Sequence, residues 1–437
     1  MRNIFDTIFF SDPNVGWVLI GMVFMCSGAA VVGVFMYLQK RALIGDTVSH
    51  AILPGICLAF MFTQTKDPLF LLIGATLSGL LGLFSVNYLA RHTHIKPDAA
   101  LAIVLSVFYG LGILLLTFIQ KSGSAAQSGL DKFLFGKAAA LVQEDVIVFG
   151  ISSLVLITTV IMWYRPLKII TFDRDFAVTS GIRVKWLEGM LYFLTVLAIA
   201  IGIQAIGVVL MAALLIAPAV AARYWTHKLN WILILAVIFA AISGMIGAYI
   251  SYLIPKMPTG PWVVVILALF AFLSLLLGTA KGTILRWIRY IVYRRKMLKE
   301  NILKCLYQLG EKDGKYDAYR DFDEIRQRRY IPDTDLQRGG RMLASQGFID
   351  QKKQEMKLTP AGLTEGERIV RIHRLWELYL TTHLNLPADH VHDNAEAIEH
   401  VITPEIEQAL EASLAFPTRD PHASPIPYSV KTTPNKQ

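Results

Sequence analysis

The chain has 437 residues, 54% of them hydrophobic, and a mean hydropathy of +0.49, which excludes an ordinary soluble globular protein. A formal net charge of +9 suits a membrane surface or nucleic acid and decides between neither. The three cysteines, Cys26, Cys57 and Cys305, lie far apart and form no CxxC pair, which argues against a disulfide framework or a zinc knuckle.

Apolar runs alternate with short polar loops over residues 14–280, and the composition after about residue 281 is that of a soluble domain. The apolar segments fall at about 14–38, 48–63, 68–90, 99–119, 142–163, 187–203, 205–222, 231–254 and 261–279. Most approach the ~20 residues that a helix needs to span a bilayer. No small-residue cleavage site follows the first, so it reads as a retained span. The second is short and carries Pro54 and Gly55, and the sixth and seventh run together through Gly207, so eight or nine spans are expected. With nine, the inner loops carry Lys40, Arg41, Arg91, Lys96, Arg165, Lys168, Arg174, Arg183, Lys185, Arg223 and Lys228, and the C-terminus is cytoplasmic. Glycines are dense inside the spans, which fits tight helix packing in lipid or helices that move against each other during transport.

The stretch from Lys40 to Gly55 begins basic and turns apolar, with Asp46 and His50 at the edge of the second segment. Four residues apart, they share one helical face. An ionised carboxylate in hydrocarbon costs roughly 3 kcal/mol or more, so it faces protein or a water-filled path. Carboxylate plus imidazole is also a ligand pair for a divalent transition metal. A buried structural pair and a metal path both remain open on these residues alone.

The loop 164–186 contains a short amphipathic pattern that Asp173 can cap and Gly181 can close. It reads as an ordinary charged inner loop or as a docking helix for a cytoplasmic partner.

Four stretches resemble, in order and spacing, the metal-ion ABC importer permeases of the ZnuB, MntB and TroC group. These are Arg41-Ala42-Leu43-Ile44-Gly45-Asp46 with His50-Ala51 and Leu53-Pro54-Gly55, the run Asp131–Lys137, the 172–183 loop, and Ala212–Ala221. The resemblance covers about residues 15–280. It implies a membrane subunit importing Mn, Zn or Fe across the bacterial cytoplasmic (inner) membrane. It also implies three partners: a cytoplasmic ABC ATPase, an extracytoplasmic solute-binding protein and a second permease chain, identical or not. Asp46 and His50 fall on the family's intramembrane ligand positions, and Phe172, Asp173, Ala177 and Gly181 on its coupling helix. The chain has no G-x-x-x-x-G-K-[ST] phosphate loop, so it is expected to bind no nucleotide and to act as a transport subunit, not an enzyme.

Beyond a basic run at 281–296, Lys296 to Leu309 reads as an amphipathic helix ending at Gly310. Two short helices at 321–329 and 333–347 and a hairpin over 347–362 follow, which makes a winged helix-turn-helix. Arg326, Arg328, Arg329, Arg338 and Arg341 supply charge where such a domain meets phosphate, or serve only solubility on a domain used for protein contacts. Further on, His373 and Glu377 stand at i, i+4, and His392, Glu396, Glu399 and His400 line one face of a second helical pattern. Mixed imidazole and carboxylate ligands suit Mn, Fe, Co or Zn.

Over about 297–427 this half resembles the DtxR/MntR metalloregulators, through His373–Glu377, His392–His400 and Pro417–Pro427. The resemblance implies that His373, Glu377, His392, Glu396, Glu399 and His400 bind metal, with Glu396 tilting the choice toward Mn over Zn or Fe. The family's further ligand from the first helix falls here on Asn301 and Lys304, and a protonated lysine cannot bind a metal. The expected fold is thus an all-α polytopic membrane domain (1–280), a basic juxtamembrane linker (281–296), a winged helix-turn-helix domain (297–362) and a metal-binding and dimerisation domain with a C-terminal tail (363–437). The expected function is a metal importer permease whose C-terminal domain senses cytosolic metal. The alternatives are a membrane-fused, metal-dependent regulator that binds DNA and a C-terminal domain that only dimerises two permeases.

Overall fold

The structure, a computed structural model, describes residues 13–65, 67–121, 141, 143–254, 257–384, 386–387, 398, 400 and 402–428. The chain divides into two compact units, Met1–Arg286 and Trp287–Gln437.

The first unit is helical: α1 (Pro13–Leu38), α2 (Leu43–Thr63), α3 (Pro68–His92), α4 (Pro97–Lys121), α5 (Gln143–Met162), α6 (Tyr164–Phe172), α7 (Arg174–Thr179), α8 (Val184–Ile206), α9 (Val208–Arg223), α10 (Leu229–Leu253) and α11 (Thr259–Leu277). Among the described residues, eight of these are long and apolar enough to cross a membrane, and the shorter apolar helix Leu210–Arg223 lies between them. The sixth and seventh apolar segments are two helices. Gly207, at φ 94°, ends one and begins the other, a backbone conformation that only glycine adopts cheaply.

Burial sorts the helices. Of the most apolar stretch, 78% is buried in α1, 72% in α2 and 67% in α8, against 28% in α4, α5 and α11. The first three are central, and the others present Leu114, Phe118, Ile151, Leu154 and Phe272 outward, as lipid demands. At the α2–α3 crossing, a Cβ on Gly55 would lie 2.1 Å from the Gly74 carbonyl oxygen, and one on Gly74 would lie 2.5 Å from that of Gly55. Backbone meets backbone there, the close approach that small residues permit in membranes.

α2 starts at Leu43, five residues before the apolar segment suggested, so Asp46 lies in its first turn. Gly45, Asp46 and Thr47 lower the local hydropathy, yet Gly45 and Thr47 are buried against neighbouring helices. Pro54 sits inside α2 and has no N–H to offer, so the His50 carbonyl lacks its helical donor.

α12 (Thr283–Asp313) begins at the end of the first unit and continues into the second, where it is followed by β1 (Arg320–Asp321), α13 (Phe322–Arg328), α14 (Asp333–Ser345), β2 (Ile349–Lys352), β3 (Glu355–Leu358), α15 (Pro360–Leu384) and α16 (Pro404–Ser413). The basic run expected as a linker is helical from Thr283, and that helix passes through Gly310 before stopping ahead of Gly314 at φ 74°. Arginine and lysine are good helix formers, so charge density alone did not mark a linker. β2 and β3 form the expected hairpin, with Ile349 opposite Leu358, and β1 adds a third strand in the order β1-β3-β2. Ile302, Leu306, Phe322, Ile325, Leu336, Leu343, Met356 and Ile369 close one core over this winged helix. A smaller cluster of Leu375, Leu410 and Ile426 joins α15, α16 and the C-terminal loop.

Candidate metal sites

On α2, His50 Nε2 lies 3.6 Å from Asp46 Oδ1. The His50 side chain is 16% exposed and that of Asp46 45%, so the pair joins a half-buried imidazole to a more open carboxylate. The ring of Tyr109 from α4 meets the imidazole edge-on, with centroids 4.9 Å apart. His50 Nδ1 is buried and has no hydrogen-bond partner among the described residues. An imidazole held by an aromatic edge, with one nitrogen unpartnered and a carboxylate one turn away, has the donor set and freedom to take a divalent ion. Among the described residues, no third His, Cys, Asp or Glu joins this pair.

A network of charges lies next to it along the sequence. Arg41, in the turn before α2, reaches Glu188 of α8 at 3.3 Å and hydrogen-bonds the Tyr192 hydroxyl. The same Glu188 oxygen accepts from Arg174 of α7 at 3.2 Å, and Gln39 donates to Thr171 of α6 at 3.2 Å. Asp173 caps α7 by accepting from the Phe176 amide at 2.9 Å, Ala177 is buried, and Gly181 closes the turn at φ 74°. Phe172 and Phe176 are exposed. Glu188 is thus a shared anchor between the α6–α7 segment and the turn that starts the Asp46/His50 helix.

In the second unit, α15 turns His373 and Glu377 to one side, both buried, with His373 Nε2 3.0 Å from Glu377 Oε1. Lys304 of α12, also buried, places Nζ 3.0 Å from His373 Nδ1. Glu377 Oε2 lies 3.8 Å from His422 Nδ1, and ligand atoms of Glu377, Asp420 and His422 come within 4.8 Å of one another. Asp420 is already engaged. Its Oδ1 accepts from the His422 and Ser424 amides at 2.9 and 2.8 Å, and Arg374 Nε lies 3.6 Å from its Oδ2.

His400 sits elsewhere: its Nδ1 meets Glu300 Oε2 at 2.6 Å, and Lys296 donates to the His400 carbonyl at 2.8 Å. The carboxylate that α12 brings to this imidazole is therefore Glu300, one position before Asn301, whose buried Oδ1 has no hydrogen-bond partner among the described residues. His392, Glu396 and Glu399 lie outside the described residues, as does the run at 131–137.

The wing arginines divide. Arg326 is tied to Asp323 and lies 3.1 Å from Asp333, Arg328 reaches Gln308 at 3.3 Å, and Arg329 lies between α13 and α14 with interactions of its own. Arg338 and Arg341, on α14, are exposed.

A family model described as the ABC 3 transport family matches residues 11–278, and one described as the iron dependent repressor, metal binding and dimerisation domain matches residues 359–428. The chain is 38% identical over 375 residues to a manganese transport system membrane protein, MntC, of Bacillus subtilis, covering 86% of each chain. It is 44% identical over 287 residues to a zinc transport system membrane protein, TroC, of Treponema pallidum, covering 66% of this chain and 95% of that one. Among solved structures it is similar to PsaBC from Streptococcus pneumoniae in complex with Fab, at a TM-score of 0.58 and 27% identity, over 64% of this chain and 98% of that one. The chain belongs to the ABC 3 transport family and carries, after its multi-pass membrane unit, a domain of the iron dependent repressor metal-binding and dimerisation type.

Proposed function

We propose that this chain is the permease subunit of an ATP-driven importer of a divalent transition metal, with Asp46 and His50 on the ion's path. The observation that carries the reading is the His50 imidazole, one nitrogen unpartnered among the described residues and the other 3.6 Å from Asp46. Two side chains do not complete a coordination sphere, so the reading includes a second permease chain across a shared path. The relatives named for manganese and zinc transport support a divalent cargo, and the carboxylate share of the ligands favours Mn. An ATPase pair docks on α7 through exposed Phe172 and Phe176, with Asp173, Ala177 and Gly181 holding the helix in shape. A solute-binding protein delivers the ion from outside. The chain sits in a bacterial inner membrane with its C-terminal unit in the cytoplasm, as the basic inner loops require.

The C-terminal unit senses cytosolic metal. Glu300 and His400 supply a carboxylate and an imidazole at 2.6 Å, a donor set that fits Mn, and His392, Glu396 and Glu399 belong to the same stretch of chain as His400. The DNA-binding reading rests on Arg338 and Arg341, the exposed arginines of α14. Titration of the purified full-length protein with Mn(II) and Zn(II), repeated with Asp46→Ala and with His400→Ala, tests the transit and sensing sites separately. Each substitution removes one class of bound ion, and an unchanged isotherm in either variant contradicts that site.

A further inference from the structure

We infer that Lys304 stands in for a metal ion at the α12–α15 junction, so that His373 is a structural relay and not a metal ligand. The inference deepens the sensing reading above: it concerns which of the family's ligand positions remain open to metal in this chain.

The geometry fixes the protons. A lysine ammonium has three donors and no acceptor, so the 3.0 Å contact from Lys304 Nζ makes His373 Nδ1 the acceptor. The ring proton is then on Nε2, where it donates to Glu377 Oε1 at 3.0 Å. A metal ligand needs an imidazole lone pair, and here one nitrogen faces an ammonium while the other carries the proton. The residues do not fit a metal bound through His373. A cation coordinating there must first expel the Lys304 ammonium, which is 3% exposed, from its contact with the imidazole.

The three residues make an ammonium–imidazole–carboxylate relay, a positive and a negative charge joined through a neutral ring. His373 and Glu377 are each 3% exposed, so the relay is shielded from water. It clips α12, which opens the winged helix, to α15, which carries the metal-binding region. In a metal-responsive domain a bound ion would make that clip and its loss would release it. Here the clip is part of the chain, and the junction stays closed with or without metal. The neighbouring Asp420 does not reopen the site, because Arg374 and two loop amides already face its carboxylate.

The test uses the full-length protein in detergent with Mn(II) as the probe, read by equilibrium binding and by backbone hydrogen exchange. His373→Ala is expected to keep the wild-type number of bound Mn(II), with affinity changed by less than about threefold, whereas loss of a true ligand costs at least about tenfold. Lys304→Glu is expected to bind one more Mn(II) per chain than wild type. Exchange over 300–306 and 369–378 is expected to be equally slow with Mn(II) and with chelator in wild type, and faster in Lys304→Met under both conditions. Loss of one bound Mn(II) in His373→Ala, or wild-type protection that rises with Mn(II) and falls with chelator, overturns the inference. If His400→Ala leaves Mn(II) binding intact, the sensing reading fails, while the exchange data still decide the role of Lys304.

Discussion

Glu188 Oε1 lies 3.3 Å from Arg41 Nη2, a contact between the first turns of α8 and the turn that launches α2. The same oxygen takes Arg174 from α7, so movement of the α6–α7 segment has a direct line to the helix of Asp46 and His50. Glu188→Gln keeps the shape and removes the charge that both arginines share. Uptake of Mn(II) should fall by about tenfold, as for loss of one positioned charge-assisted contact worth roughly 1.5 kcal/mol, with membrane abundance unchanged. Arg174→Gln should cost less, because its side chain is 56% exposed and exposed pairs contribute little. Equal uptake by Glu188→Gln and wild type, measured in cells at matched abundance, would sink this link.

Close backbone contact at the α2–α3 crossing makes a second prediction. A methyl at Gly55 meets a carbonyl oxygen of α3, and neither helix can yield without losing its packing. Gly55→Ala should destabilise the membrane unit by about 1–3 kcal/mol and lower its recovery in mild detergent. Gly110, where an added methyl has nothing within 4 Å, is the matched control and should accept alanine.

Arg374 binds both oxygens of Glu311, at 2.8 and 2.6 Å, and also donates to the Pro425 carbonyl. It thereby ties α12, α15 and the C-terminal loop. Arg374→Met should cost the second unit about 3 kcal/mol, because it leaves the Glu311 carboxylate without its partner. Chemical denaturation of the full chain, followed by hydrogen exchange of the α15 backbone amides, should show an earlier transition in the variant. An unshifted transition would contradict the role given to this arginine.

The Arg320 guanidinium beside Asp313, together with the Lys315 amide, holds the Asp313 carboxyl below the ordinary carboxylate range. A carboxylate whose pKa is lowered on folding adds stability at pH values above its unfolded pKa and loses it as pH falls through the folded value. Asp313→Asn should therefore lower the melting temperature of the second unit at pH 7 and match wild type once the pH is below the folded pKa of Asp313. A difference that persists unchanged into strong acid would rule out this cause.

Long apolar runs made the spans legible, because a bilayer sets helix length directly. What the runs concealed was local. Gly45, Asp46 and Thr47 pulled the apparent start of α2 to residue 48, although burial carries the helix back to Leu43. The basic run at 281–296 gave no sign of its conformation, which is helical from Thr283. The short helix after Asp173 was readable because its cap and its closing glycine are both local signals. Glu300 beside His400 and Lys304 beside His373 were not, because 100 and 69 residues separate the partners and one helical position decides which side chain faces inward. The resemblance matched the family's first-helix ligand positions to Asn301 and Lys304; the residue of α12 that meets His400 is Glu300.

The central claim is that the ion passes Asp46 and His50. Uptake of radioactive Mn(II) by cells making the full-length chain with its transport partners, compared among wild type, Asp46→Asn, His50→Ala and the double variant, tests it most directly. At least about a hundredfold loss is expected in either single variant, with little further loss in the double, because both groups serve one ion. Uptake within about twofold of wild type in either single variant, at equal membrane abundance, would contradict it.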